Sequence, residues 1–406
     1  MSSYSLKSQR KLYYETLSND GVLKWQMKSY KHFDQLGAIG KIPLTVWNKG
    51  LFRFLFCLLL PIVALCLDFY FLLGYIVKYF KPKKKIEFKR IFICKERHLY
   101  LIANKHNMLT DHDVWFSSPF DTFTLPYEAK QVSISDYETI SDPFRCFLQT
   151  LIIHFNVIFH FGYNYYLLSF KAFDWCMFDL ALRRLPIDVD LYFCNFSDRV
   201  SIILDTLPQK NKILIQHGTM HFYNNSNSSP FLTWQEDKGF WIWNSLSKIS
   251  PSKVYCFTEN DEIALSRSVI ANNPQYIHMG YDFKPAFKPD KFSVLIIANY
   301  TLFEKQEETI ISQLQDLDIN IYLKNHPHIF DNRYDEMRDK YNFIFIKGVS
   351  SELPDVDIVI SYDSTLALEY ESVGAEILYY GHFDINNVKE IINQKLLQNK
   401  QKNDKS

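Results

Sequence analysis

The sequence predicts an α/β protein carrying two parallel sheets behind an apolar N-terminal segment. Three observations predict it: short apolar runs alternate with helix-periodic stretches, the alternation occurs twice in succession, and a long uncharged run precedes both. Short buried strands separated by helices of roughly ten to fifteen residues are the pattern of parallel sheets covered on both faces. A chain of 406 residues has room for two such domains and an additional segment.

Residues 1–50 mix Lys with aromatics and read as partly helical and amphipathic. Residues 54–77 carry a single charge, Asp68, over a length that crosses a hydrocarbon core of ~30 Å as a helix. Pro61 and Gly74 are expected to interrupt that helix, and Asp68 would cost ~2.5–3.5 kcal/mol at the centre of a span. The run starts too far along the chain for a signal peptide. Next come residues 78–90, KYFKPKKKIEFKR, with seven basic residues against Glu87. Such a cluster marks the cytoplasmic side and attracts anionic lipid. Residues 1–85 are therefore expected to be a membrane-associated segment, as a span or as a monotopic or re-entrant hairpin. Lys81–Arg90 would meet the anionic surface, at the cytoplasmic face of the inner (plasma) membrane. The competing reading is a buried hairpin of two core helices broken at Pro61.

From Ile86 onward, KRIFI, LYLIAN (99–104), VDLYFCNF (189–196), KILIQHG (212–218), KVYCFT and QYIHMG read as strands, with a long helix-periodic stretch over 143–184. A second set follows: SVLIIAN (293–299), a helix over 304–316, INIYLKN (319–325), FIFIKG (343–348), DIVIS (357–361) and a helix from Thr365. These runs predict two Rossmann-like domains facing a cleft, over 86–285 and 286–393. The polar tail 394–406 is expected to be disordered.

Bulk properties exclude several classes. Formal charge is zero, so no global field recruits nucleic acid. The seven cysteines include no CxxC pair, which argues against a zinc ribbon or a disulfide framework. Neither GxxxxGK[ST] nor GxGxxG is present, removing the usual support for ATP hydrolysis and dinucleotide redox chemistry. Besides Asp111/Asp113, Asp-x-Asp occurs at 188/190, 316/318 and 355/357, none of these three closing an apolar strand where a metal–diphosphate clamp would sit.

Ligands of open parallel sheets bind beyond the carboxyl ends of the strands, and three such places carry chemistry. His217-Gly218 follows KILI-Gln216; an imidazole there can act as a base near neutrality, or anchor the following loop. Lys324-Asn325-His326-Pro327 follows INIY; proline biases the preceding His towards an extended backbone, and Lys324 with His326 suits a phosphate. Ser361, Asp363, Ser364 and Thr365 lie between a strand and a helix. Hydroxyls and N–H groups at that helix start can bind an anion or simply cap the helix. Glu369 and Glu371 follow in the first turns; one of them can reach ribose hydroxyls, or both are surface residues. In the first domain, His106, His112 and Asp113 follow LYLIAN and are candidates for the acceptor side; a metal reading of this His/Asp group competes.

A His-Gly, then a Lys-x-His-Pro, then a Ser-x-x-Ser-Thr-x-x-x-Glu, over roughly 190–381, resembles the GT-B glycosyltransferases of bacterial surface-polysaccharide and capsule assembly. Nearest in pattern are the CDP-glycerol glycerophosphotransferases, the capsular Kdo transferases and the bacterial polysialyltransferases. The resemblance implies that His326, Pro327, Ser364 and Thr365 bind donor phosphates and that His217 and His326 are the catalytic pair. It also implies a metal-independent transferase with no cofactor, using a nucleotide-activated donor, CMP- or CDP-linked ahead of UDP-linked, and a glycan or lipid-linked acceptor. Asp363 departs from the pattern, and nothing before residue 190 matches it. A nucleotide-sugar epimerase of the same fold and an inactive membrane-anchored scaffold are the competing functions.

Overall fold

The computed structural model describes residues 5–14, 16, 50–83, 86–94, 97–117, 130–157, 172–194, 199–216, 248–298, 304–325, 333–346, 352–361, 364–380 and 382–403. His217, Gly218, His326, Pro327 and Asp363 lie outside the described residues. The chain divides into two compact units, Met1–Met279 and Gly280–Ser406.

The elements of the first unit are helix α1 (residues 6–14), α2 (Gly50–Tyr79), β1 (Arg90–Cys94), α3 (Arg97–Lys105), β2 (Asp113–Ser117) and β3 (Gln131–Ser133). They continue with α4 (Ile134–Tyr137), α5 (Asp142–Asn156), α6 (Ala172–Leu182), β4 (Asp190–Phe193) and α7 (Arg199–Asp205). β5 (Lys212–Ile215), β6 (Lys253–Cys256), α8 (Glu259–Ser268) and β7 (Gln275–His278) complete the unit. The strands form one sheet in the order β3-β2-β1-β4-β5-β6-β7, with every pair parallel. Alternate residues feed opposite cores. Ile91, Ile93, Leu191 and Phe193 join α2, α5 and α6 on one face. On the other, Phe92 stacks on both Trp115 and Tyr192 at 4.6 Å, next to Leu99 and Ala103 of α3.

Two expectations change here. LYLIAN is not a strand but most of α3: Leu99 and Ala103 are buried at helical spacing, a period that a five-residue apolar run cannot reveal. Asn107 at φ 52 closes the helix, with Met108 N–H donating to Ala103 O, the left-handed C-terminal cap. Helix α2 runs unbroken through Pro61 and Gly74, so there is no hairpin break at Pro61. Of the described residues before Ile86, Leu12, Tyr13, Ala64, Leu72 and Tyr75 belong to the core of the first unit. The β2 and β3 strands are too short and too mixed in pattern to stand out in the sequence.

The second unit contains β8 (Ser293–Ile297), α9 (Glu304–Leu314), β9 (Asn320–Lys324), α10 (Arg333–Lys340) and β10 (Ile344–Ile346). It ends with β11 (Ile358–Ser361), α11 (Thr365–Ser372), β12 (Glu376–Tyr379) and α12 (Val388–Asn403). Its sheet order is β10-β9-β8-β11-β12, again parallel throughout. The connection reverses direction between β8 and β11, the switch point beside which open α/β sheets hold ligands. The expected disordered tail is corrected: most of it is helix α12. Ile392 is buried, Lys395 pairs with Glu376 at 2.8 Å, and Asn399 donates to Asp357 at 3.0 Å. Polar composition concealed a helix held by one apolar face.

Candidate functional site

All five strands of the second sheet end at one level. Lys324 is in register with Ile346 on one side and Ile297 on the other; Ile297 is in register with Ser361, and Ser361 with Tyr379. Residues in register on parallel strands share a face, so Lys324, Ile297 and Ser361 all lie on the α11 side of the sheet. At ~4.8 Å per strand, Lys324 and Ser361 are about 10 Å apart at the backbone, on either side of β8. Lys324 and Ser361 thus bracket the switch point, with the N-terminus of α11 immediately after Ser361.

Each side chain has a distinct status. Ser364 is the N-cap of α11: its Oγ accepts from Leu366 N–H at 3.3 Å and its carbonyl from Ala367 N–H at 3.0 Å. Capping therefore accounts for Ser364 without any ligand. Ser361 is different. It is 1% exposed, and its Oγ has no hydrogen-bond partner among the described residues, which costs about 1–3 kcal/mol. Lys324 is also buried; its ammonium donates to Asn325 O at 2.9 Å, and loss of hydration lowers its pKa to about 8. A lysine so placed is partly neutral near pH 8 and gains from any anion that arrives. Thr365 and Glu369 occupy the first turns of α11, and Tyr370 fixes that helix by donating to Pro354 O at 2.7 Å. A buried cation, an orphaned hydroxyl and a helix start at one sheet edge can hold a phosphate.

In the first unit, Gln216 ends β5 and is fully buried. Its Nε2 donates to Asp261 Oδ1 at 2.6 Å and its Oε1 accepts from Phe257 N–H at 3.2 Å. Asp261 in turn accepts from Thr258 Oγ1 at 2.7 Å. This network holds the backbone just before His217, a role for Gln216 that its position closing an apolar strand could have signalled. His278, at the carboxyl end of β7, bonds Glu262 of α8 at 2.7 Å. Sequence reading placed that histidine in a strand and assigned it nothing.

The acceptor-side candidates of the first unit lie as follows. Since LYLIAN is helical, His106 follows a helix end. Asp113 begins β2, paired in register with Arg90 at the amino edge of the sheet, away from the strand ends where ligands bind. Its carboxylate accepts from Thr110 N–H at 2.7 Å and lies 3.3 Å from Arg90 Nε, closing the turn that contains His112. These are the contacts of a structural carboxylate.

No protein-family model matches the chain, and no curated protein matches it in sequence. Among solved structures it is similar to Anabaena HepE in complex with UDP-glucose, at 9% identity, TM-score 0.43, and coverage of 78% of this chain and 91% of that one. The wall teichoic acid polymerase TagF gives 11% identity, TM-score 0.38, and coverage of 80% and 85%. Sucrose-phosphate synthase from Thermosynechococcus elongatus gives 11%, TM-score 0.39, and coverage of 77% and 90%. Likenesses of this degree carry no argument about function; the residues carry it.

Proposed function

We propose that this chain is a GT-B-type, membrane-associated transferase. It moves a sugar or polyol phosphate from a nucleotide-activated donor to a glycan or lipid-linked acceptor at the cytoplasmic face of the membrane. The observation that carries the reading is the buried, unpartnered Ser361 Oγ, on the same face as buried Lys324 at the switch point of the second sheet. Both groups are suboptimal alone, and both are satisfied by one anionic ligand.

In this reading the second unit binds the donor. Lys324 and the start of α11 neutralise charge as it builds on the leaving phosphate, and Ser361 Oγ donates a hydrogen bond. His326 follows Lys324 by two residues and contributes a further donor. His217, directly after the anchored Gln216, takes the acceptor hydroxyl proton as general base. These donors suffice without a metal, and a cytidine nucleotide is favoured over a uridine one.

Thermal shift against CMP, CDP, UDP and GDP tests the donor claim, since a ligand at 100 times its Kd stabilises the native state by ~2.7 kcal/mol. The expected result is stabilisation, largest with a cytidine nucleotide, and its loss in His326→Ala. Unchanged nucleotide affinity and turnover in that variant would remove His326 from the mechanism. Conversion of a nucleotide sugar with no acceptor present would replace the transferase with an epimerase.

A further inference from the structure

Helix α5 is apolar on the side that faces away from the core. Its buried face carries Asp142, Gln149, Thr150 and His154 beside Pro143, Cys146 and Ile153, whereas Phe144, Leu148, Leu151, Ile152 and Phe155 face outward and are exposed. A helix on the surface of a water-soluble domain keeps its polar residues on that outer side. Helix α2 beside it buries Ala64, Leu72 and Tyr75 and likewise leaves large apolar side chains outside. Its one acidic residue, Asp68, is fully buried and bonds His154 of α5 at 2.8 Å. Meanwhile Ile62, Leu65, Phe69, Leu73, Val77 and Phe80 are exposed. The 18-residue stretch Ile62–Tyr79 has a mean hydropathy of 1.7 and is only 22% buried, so it is not an ordinary core helix.

The two helices run antiparallel. Asp68 meets the end of α5, while Lys83, just past α2, donates to Glu138 O before α5 begins. The joint apolar face is thereby bordered at one end by Lys78, Lys81 and Lys83, all exposed. Apolar surface on this scale, rimmed by cations, fits an anionic bilayer. A span is the wrong geometry for it. Along 64–75, the same stretch that exposes these side chains, Ala64, Leu72 and Tyr75 sit in the core of the first unit, and Tyr75 lies 5.6 Å from Phe173 of α6. A helix whose one flank is embedded in its own domain along that length cannot pass through a bilayer.

We propose that α2 and α5 together form a monotopic membrane-docking surface, lying flat in one leaflet of an anionic membrane. The Asp68–His154 pair, turned inward, keeps both polar groups out of the lipid. The proposal rests on the membrane part of the functional reading and is independent of the transfer chemistry.

Flotation of the full chain with vesicles tests it. Phosphatidylcholine vesicles containing phosphatidylglycerol should bind the protein, phosphatidylcholine alone much less, and added salt should weaken the binding. Leu148→Gln with Phe155→Gln, both exposed positions, should weaken binding more than about tenfold. A polarity-sensitive dye on Ile152→Cys, in a chain whose exposed Cys66 is changed to Ser, should shift to the blue when the anionic vesicles are added, which covers the case that the double variant misfolds. Membranes from producing cells should release the protein to carbonate. Retention through carbonate with unchanged binding of the α5 variant would mean that α2 spans, overturning the proposal. So would a wild-type chain that ignores both vesicles and instead forms a concentration-dependent dimer. Nucleotide-induced thermal shift in the same variants separates the two readings, because loss of flotation with donor binding intact concerns this surface alone.

Discussion

Lys324 offers the sharpest test of the donor site, because its charge can be titrated within an accessible range. Burial lowers its pKa from 10.5 to about 8, so holding the buried ammonium charged costs about 3 kcal/mol at ~1.4 kcal/mol per pH unit. A bound diphosphate returns that energy by favouring the charged form. Binding is then linked to one proton: affinity is constant below about pH 8 and falls towards tenfold per pH unit above it. Diphosphate diesters are fully ionised throughout this range, and a histidine of ordinary pKa, ~6.5, is already neutral, so the slope belongs to the lysine. Isothermal titration of the nucleotide from pH 7 to about pH 10 measures it. Lys324→Met should flatten the profile and weaken binding at pH 7 by ~1.5–3 kcal/mol, the worth of a hydrogen bond to a charged group. The ligand-free protein supplies a second reading. Between about pH 8 and pH 10.5 the unfolded chain binds more protons at this site than the native one, so stability rises with pH in wild type but not in the variant. A wild-type affinity that stays flat to pH 10, or a slope that survives in Lys324→Met, would refute the placement of Lys324 against the donor.

Other outcomes follow from single groups. Ser361→Ala should raise stability by about 1 kcal/mol, by removing a buried unpaired hydroxyl, yet weaken nucleotide binding; denaturant titration and calorimetry see the two opposite signs. Glu138 is buried with neither carboxylate oxygen hydrogen-bonded, and burial, opposed by Lys83, raises its pKa from 4.5 to about 7. The native state therefore binds the extra proton between those values, and stability is lost as pH rises from about 4.5 to 7. Glu138→Gln should recover about 2–3 kcal/mol at pH 8.5 and almost nothing at pH 4.5, measured by urea unfolding at both pH values. Asp68→Leu alone should cost about 1–3 kcal/mol by leaving His154 buried without its partner, whereas Asp68→Leu with His154→Leu should come close to wild type. A melting-curve double-mutant cycle checks this, and additive losses would mean that the pair is not coupled.

Much of the second unit was legible from residue order. The runs SVLII, NIYLK and IVIS are apolar enough to be strands, and each sits within the predicted range. The helix expected from Thr365 starts there, capped by Ser364. The short runs around β2, β3 and β12 offered too few residues to establish a period. The reading failed where the local pattern was compatible with more than one structure. LYLIAN could be strand or helix, and only the opposite sheet face, receiving Leu99 and Ala103, selected the helix. In the tail, Ile392 and Leu396 are buried in a segment otherwise rich in Lys, Asn and Gln, and no local signal distinguishes that from a solvated coil.

By itself, then, the sequence determined which residues alternate in and out, where strands stop, and which hydroxyls, imidazoles and ammonium groups lie at those stops. It also showed that an apolar run is followed by a basic one. The tertiary structure alone decided which strand ends are adjacent. Lys324 and Ser361, 37 positions apart in the chain, come to flank one strand only because the sheet order reverses between β8 and β11. It also decided that Asp113 sits at the amino edge. And it showed which side of α2 and α5 is inside, because helical periodicity records that a helix has two faces without saying which one meets the protein. Here Asp68 and His154 lie on the inner side, where they find each other, while large apolar side chains are left on the outer one.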